Sequence, residues 1–279
     1  MTYKTILTAI DRDLRNEQLD VAFSVARTQQ AHLVGLFTAR PMMLPPHVIT
    51  EAGPAGAQFK ASQQAALEKL EAQAKRRFSE ASVRHSHSLV EWRGAAPASR
   101  GGVPTHARYA DLVIAAQPAR DPDGRGEAEQ AMQEVLPLAT GRPVLFVPFA
   151  GHFPEVGRNV LVAWDASREA ARAVADAMPL LEKAGSVRLC VFNPGPAHGE
   201  DPGADAGLYL ARHGVKVTVS ARHNAADAIG ELLLSEAADC GADLIVMGAY
   251  GHSRLREMIF GGVTRSILES MTVPVLMSH

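Results

Sequence analysis

The chain has 279 residues, of which 47% are hydrophobic but only 5% aromatic, and its formal net charge is −2. A protein that binds nucleic acid chiefly through its phosphates usually carries a basic excess, so this charge argues against that class. The cysteines, Cys190 and Cys240, form no C-x-x-C motif and are expected to be small core residues. No run approaches the roughly 20 apolar residues of a membrane helix, and the N-terminal apolar run is too short for a signal peptide, so we expect a cytoplasmic protein.

Ten short apolar runs alternate with segments of helical periodicity along the chain. This alternation predicts an α/β fold with a parallel sheet, because strands buried on both faces appear as continuous aliphatic runs. In the first half, the predicted strands are Thr5–Ile10, Leu33–Phe37, Ser88–Trp92, Leu112–Ala115 and Val144–Val147. In the second half, they are Val160–Trp164, Val187–Phe192, Val217–Ala221, Leu244–Met247 and Val275–Met277.

The two series of strands match in content as well as in order. The matching segments are Thr5–Asp11 with Asn159–Asp165, Ala110–Ile114 with Ala242–Val246, and Pro143–Leu145 with Pro274–Leu276. Matches in the same order indicate an internal duplication into two tandem domains rather than a solenoid. The stretch Phe149–Gly157 is rich in Gly and Pro and is the predicted boundary between domains of residues 1–150 and 157–279.

The two halves differ after their second strand. The first half has a long amphipathic segment, Gln58–Phe78, that predicts a helix. Before it lies Arg40–Gly56, a segment with four prolines that is expected to be either an ordinary surface loop or a lid. The corresponding stretch of the second half, Gly199–Gly214, is much shorter.

A glycine-bounded loop follows the ninth predicted strand. Gly248-Ala249-Tyr250-Gly251 is followed by nine residues and then by Gly261-Gly262-Val263-Thr264, after which a helix is predicted. This order suits phosphate binding, because glycines let the backbone approach a ligand and the unpaired N–H groups of a helix start attract anions. Thr264 could add a hydroxyl donor and help to cap the helix. The chain has neither a P-loop motif nor a G-x-G-x-x-G dinucleotide motif.

Asp165 directly follows the strand Val160–Trp164. Open α/β sheets bind ligands at the carboxyl ends of their strands, so Asp165 and the glycine loop are expected at one crevice. The carboxylate could accept both hydroxyls of a ribose, or it could cap the helix that begins near Ser167. Within the loop, His252 and Arg254 could meet phosphate or solvent.

The second half resembles a universal stress protein domain of the nucleotide-binding kind. The similarity lies in the spacing of Gly248, Gly251 and Gly261, in the run Asp243–Gly248, and in the closing Val273–Leu276. It extends over the chain as a tandem pair. It implies two doubly wound parallel sheets of the adenine nucleotide alpha hydrolase-like kind, paired through their last strands as an internal pseudo-dimer. A further homodimer and unknown protein partners are compatible with it.

The resemblance also implies that the second domain binds ATP, ADP or AMP, with or without Mg²⁺. It further implies that the protein acts in stress response or signalling. The implied contact residues are Ala163, Trp164 and Met247 for base or sugar, Asp165 for ribose, and Gly248, Gly251, His252, Gly261, Gly262, Val263 and Thr264 around the phosphates. The family has Ser or Thr where this chain has Gly262. One lost hydroxyl contact would weaken binding by about 0.5–1.5 kcal/mol, or roughly up to tenfold.

The first half lacks the glycine loop. Strand-to-strand alignment puts Ala116 opposite Gly248, Ala119 opposite Gly251, and Glu129 and Gln130 opposite Gly261 and Gly262. A carboxylate at this place would repel phosphate. The first domain is therefore predicted to be degenerate and not to bind ATP in the family manner.

No catalytic arrangement appears in the sequence: there is no Ser-His-Asp pattern and no reactive cysteine. The main expectation is therefore a nucleotide-binding protein that is at most a weak ATPase. Two alternatives stay open: a slow ATPase or other nucleotide-processing enzyme on the same fold, and a nucleotide-free scaffold that holds an apolar ligand. His85 and His87 lie two residues apart on a predicted strand edge, but no third ligand accompanies them, so no metal site is predicted.

Overall fold

The structure is a computed structural model that describes residues 2–39, 53–94, 102–117, 135–195, 200–223, 229–250 and 262–279. The strands of the first half are β1 (Thr5–Ile10), β2 (His32–Phe37), β3 (Val90–Arg93), β4 (Leu112–Ala116) and β5 (Val144–Val147). Those of the second half are β6 (Asn159–Trp164), β7 (Ser186–Phe192), β8 (Val217–Arg222), β9 (Leu244–Gly248) and β10 (Val275–Ser278). Each predicted strand is present, with its ends shifted by at most two residues.

The helices of the described residues alternate with these strands. In the first half they are α1 (Asn16–Gln29), α2 (Gly53–Arg84), α3 (Gly102–Ala107) and α4 (Leu136–Thr140). In the second half they are α5 (Arg168–Leu181), α6 (Ala204–Arg212), α7 (Ile229–Asp239) and α8 (Gly262–Ser270). None of the described helices is long and apolar enough to cross a membrane.

All ten strands form one sheet in the order β3-β2-β1-β4-β5-β10-β9-β6-β7-β8. The same order therefore occurs twice, and neighbouring strands are parallel within each half. The halves meet where β5 and β10 pair antiparallel, with Leu276 opposite Leu145. The predicted pairing of the last strands, and with it the paired doubly wound architecture, is confirmed.

Apolar side chains fill both faces of the sheet. One core packs β-sheet residues against α1, α2, α5 and α6, and the other packs them against α3, α4, α7 and α8. Each core contains residues of both halves. The helices that follow β6 and β9 therefore lie on opposite faces, which determines where a ligand crevice can form.

One aspartate before the fourth strand of each half has the same structural role. Asp111 accepts hydrogen bonds from the backbone N–H groups of Lys4 (2.7 Å) and Thr5 (3.0 Å). Asp243 accepts them from the N–H groups of Gly157 (2.7 Å) and Asn159 (3.0 Å). Each carboxylate thus fixes the start of the neighbouring first strand. The repeated Ala-Asp-Leu triplet in the sequence is a repeated folding element.

The long helix differs from its prediction. It runs from Gly53 to Arg84, so Gly53–Gly56 belongs to the helix and not to the predicted loop, whose residues 40–52 lie outside the described ranges. A proline is tolerated in the first turn of a helix, because its missing N–H would have no helical partner there. His85 and His87 follow this helix in a turn rather than a strand, where they contact Asp20 Oδ1 (2.8 Å) and the Ala31 carbonyl (3.0 Å).

Candidate functional site

The carboxyl ends of β6 and β9, where the crevice is predicted, extend beyond the last residues that pair. Their pairing ends with Val162 opposite Val246, although β6 continues to Trp164 and β9 to Gly248. The two chains part because α5 and α8 pack on opposite faces of the sheet. This is the switch point at which open α/β sheets bind ligands.

The residues predicted to line the crevice lie on both faces of the sheet. Ala163 and Met247 pack with the core under α7 and α8, whereas Trp164 is half-buried against the opposite core. Neighbouring strand residues alternate in direction, so Ala163 and Trp164 point to opposite faces. The structure thus brings Ala163 and Met247 together on one face and places Trp164 on the other.

Asp165 makes a tight turn rather than the helix cap. Its Oδ1 accepts the N–H of Ser167 at 3.0 Å, and Ser167 Oγ in turn accepts the N–H of Ala170 at 3.1 Å. Ser167 is therefore the N-cap of α5, and Asp165 is exposed at the crevice. Asp11 makes the corresponding bond to the N–H of Asp13 (3.0 Å) in the first half. The turn is common to both halves, so it serves the fold whatever else the carboxylate does.

Gly248 allows β9 and α5 to approach closely. A Cβ atom at this position would lie 2.7 Å from the backbone nitrogen of Ala170 and 2.7 Å from the carbonyl carbon of Glu169. Backbone atoms cannot move away without a large cost in free energy, so only glycine fits at this position. This glycine is explained by packing, independently of any phosphate.

The first turn of α8 supplies the described part of the glycine loop. Gly262 is exposed, and a Cβ atom there would meet no atom of the described residues within 4 Å. Thr264 is only 3% exposed, and its Oγ1 accepts the N–H of Tyr250 at 3.4 Å. Thr264 therefore joins the two ends of the loop. Gly251, His252, Arg254 and Gly261 lie outside the described residues.

Two residues at this edge were not singled out in the sequence. Glu169 is buried, and the guanidinium of Arg168 contacts its Oε1 at 2.5 Å. Burial alone would raise the pKa of Glu169, but the side-chain bond from Arg168 and a backbone hydrogen bond outweigh it and hold the pKa below its usual value. His279 Nδ1 lies 3.0 Å from the Ala249 carbonyl. Glu169 could have been noticed as an acidic residue in the first turn of a helix, whereas nothing near His279 in the sequence marked it.

The corresponding place in the first half is filled by a side chain. Gln18 is 3% exposed, and its Nε2 donates to the Ala9 carbonyl at 2.6 Å and to Thr8 Oγ1 at 3.0 Å. Ala116 stands where the second half has Gly248. The segment with Ala119, Glu129 and Gln130 lies outside the described residues.

A separate charged cluster lies between β7, β8 and α7. Glu236 is buried and accepts hydrogen bonds from Arg188 (2.8 Å) and from Arg222 (2.8 and 3.0 Å). Burial would raise the pKa of Glu236, but the bonds from the two arginines outweigh it and lower the pKa.

Across the described ranges, no group of three His, Cys, Asp or Glu side chains could hold a metal ion.

Sequence comparison assigns a family to the second half. Residues 157–279 match the model of the universal stress protein family. A universal stress protein of Synechocystis sp. is 34% identical over 82 residues, which is 28% of this chain and 28% of that protein. Residues 157–279 therefore form a universal stress protein domain.

Solved structures resemble the whole chain in fold. A universal stress protein of Archaeoglobus fulgidus matches 98% of this chain and 95% of its own, with a TM-score of 0.68 and 15% identity. A protein of unknown function from Pseudomonas aeruginosa matches 99% of this chain and 92% of its own, with a TM-score of 0.57 and 17% identity. At such low identity, these similarities concern the fold alone.

Proposed function

We propose that the universal stress protein domain at residues 157–279 binds an adenine nucleotide in the crevice between β6 and β9, and that the protein acts in stress response or signalling. The proposal rests on three features that follow the neighbouring strands β6 and β9 at their carboxyl ends. The strands part after Val162 and Val246, Asp165 is exposed on one side, and the first turn of α8 begins on the other.

The first turn of α8 is the proposed phosphate contact. The N–H groups at a helix start have no partner within the helix, and the helix dipole adds partial positive charge there. Gly262 is exposed and carries no side chain, so its backbone is open to a ligand. The bond between Thr264 and Tyr250 keeps this turn beside the end of β9.

Asp165 is the proposed ribose contact. Its turn to Ser167 fixes the carboxylate at the mouth of the crevice. A carboxylate has about four acceptor positions, so it can accept several hydrogen bonds at once, as a pair of ribose hydroxyls requires. Ala163 is only partly buried and could contact a base or sugar there, whereas Met247 is buried in the same core.

The test compares two matched substitutions, Asp165→Ala and Asp11→Ala. Each removes the same backbone turn, but only Asp165 faces the proposed nucleotide. A hydrogen bond to a charged group contributes about 1.5–3 kcal/mol, so Asp165→Ala should weaken ATP binding roughly tenfold to hundredfold in isothermal titration calorimetry. Asp11→Ala should leave the affinity unchanged.

Several outcomes would contradict the proposal. If wild-type protein shows no heat with ATP, ADP or AMP and releases no adenine absorbance when denatured, a nucleotide-free scaffold is favoured. Equal losses in both aspartate variants would place the effect in the turn rather than in the ligand contact. Rapid release of ADP and phosphate would instead make the domain an enzyme.

A further inference from the structure

One side chain of the first half, that of Gln117, donates a hydrogen bond to α8, the helix whose first turn is the proposed phosphate contact. Gln117, the residue after β4, is only 2% exposed. Its Nε2 donates to the carbonyl of Leu268 in α8 at 2.7 Å, and its Oε1 accepts the N–H of Phe149 at 3.1 Å. Both polar ends of the amide are therefore satisfied, one in each half of the molecule.

The bond lies at the carboxyl end of α8, where a donor has the greatest effect. The last four carbonyls of a helix have no partner within it. In α8 the Ile267 carbonyl accepts the N–H of Met271 at 2.8 Å, and the Leu268 carbonyl accepts Gln117. The last turn of α8 contains no basic residue. An amide donor from the other half thus supplies the partial positive charge that suits a helix end.

The pseudo-symmetry of the fold is broken at this residue. Ala249 is its counterpart in the second half: the N–H of Ala249 donates to Ser278 at 2.8 Å, as the N–H of Gln117 donates to Val147 at 2.7 Å. A methyl group cannot donate, so α4, the counterpart of α8, receives no such bond from Ala249. The amide is present only on the side where the helix that it contacts follows the glycine loop.

We propose that Gln117 is a positioning residue for nucleotide binding. Its hydrogen bond to the carboxyl end of α8 fixes the position of this helix and therefore of the first turn of α8, which is the proposed phosphate contact. The proposal rests on the proposed function of the second half. It gives the half without a glycine loop a role in the site of the other. Since a nine-residue helix is a short rigid rod of about 14 Å, a shift at Leu268 moves its first turn as well.

The experiment compares Gln117→Met with Gln29→Met in the full chain. Gln29 is the matched control because it is equally buried (1% exposed) and also crosses between the halves, donating from Nε2 to the Pro179 carbonyl of α5 at 2.9 Å. Two quantities are measured: the amide NMR signals of Gly262 and Thr264 without nucleotide, and the Kd for ATP. Gln117→Met should shift both signals and raise the Kd about fivefold. Gln29→Met should change neither.

A second variant, Gln117→Glu, covers the case in which Gln117→Met does not fold. It has the same shape and keeps the acceptor for the Phe149 N–H. It is measured at a pH high enough to ionise the new carboxyl, because an ionised carboxylate cannot donate to Leu268 whereas a protonated one can. It should reproduce the shifted amides and the weaker binding. The proposal is overturned if Gln117→Glu behaves like wild type, if the ATP affinity of a folded Gln117 variant is unchanged, or if Gln29→Met has the same effects.

The two proposals fail in different ways. If the α8 amides of wild-type protein do not respond to ATP, the proposed nucleotide function is wrong, and the role of Gln117 in binding falls with it. If wild-type protein binds ATP but the first turn of α8 is unmoved in the Gln117 variants, only the positioning role is wrong. Shifted amides together with weaker binding, seen in the Gln117 variants alone, support both.

Discussion

Adding a side chain at Gly262 tests the proposed phosphate contact directly. The substitution is Gly262→Ser, which places a hydroxyl at the first position of α8, where related domains are expected to have Ser or Thr. Among the described residues there is room for it, because a Cβ atom at Gly262 would meet none of their atoms within 4 Å. The backbone of Gly262 is also not among those with positive φ, so a side chain adds no strain.

The size of the effect follows from one neutral hydrogen bond. Such a bond contributes about 0.5–1.5 kcal/mol, so Gly262→Ser should tighten ATP binding roughly two- to tenfold. The matched control is Gly262→Ala, which adds the Cβ atom without the hydroxyl. Both variants should gain up to about 1 kcal/mol in stability, since glycine is a poor helix former.

The assay is isothermal titration calorimetry with ATP on wild type and both variants, together with thermal unfolding without ligand. The affinity difference between the serine and alanine variants isolates the hydroxyl, because their effects on the helix are similar. If the serine variant binds ATP no more tightly than the alanine variant, the first turn of α8 does not hold a phosphate at this position. The contact assigned to Gly262 would then be refuted.

Two further predictions concern stability. Gly248→Ala should lower the free energy of unfolding by about 1–3 kcal/mol, because its Cβ would lie 2.7 Å from the Ala170 nitrogen; unchanged stability in chemical denaturation would contradict the close approach. Glu236→Gln should destabilise the protein by about 1–2 kcal/mol at neutral pH, since Arg188 and Arg222 lose their anionic partner while remaining partly solvated. The pKa of Glu236 is lower in the folded state, so its contribution to the free energy of unfolding is complete above the ordinary value of 4.5 and is lost as the pH falls through the folded pKa. The free energies of unfolding of wild type and Glu236→Gln should therefore converge in acid. A difference between them that stays constant with pH would be evidence against the assignment.

Most of the sheet could be predicted from the sequence because its strands are buried on both faces. Burial on both sides demands a continuous aliphatic run, which is visible without any knowledge of partners. Prediction was least accurate at the edge of the sheet, where β3 starts at Val90 rather than Ser88. Prediction also shortened α2, since its first residues include Gly53 and Pro54, which are typical of loops.

The candidate site was predictable only in its outline. Strand, glycine loop and helix follow one another in the chain, so a local pattern could place Gly248 and Gly262 together. The pattern could not show that Gly248 is required by the approach of Ala170, which is distant in sequence. Nor could it show that Thr264 is buried and joined to Tyr250, because that bond depends on how the loop closes.

The sequence alone predicted the order of the strands and pointed to the glycine loop after β9, since both depend on residues that are neighbours in the chain. It also predicted a duplication, and the structure shows the same strand order in both halves. The tertiary structure decided which contacts cross between the halves. The amide of Gln117 meets the Leu268 carbonyl 151 positions away, and no pattern in either segment predicts this bond. Such contacts arise only when β5 and β10 pair and bring the two halves together in one sheet.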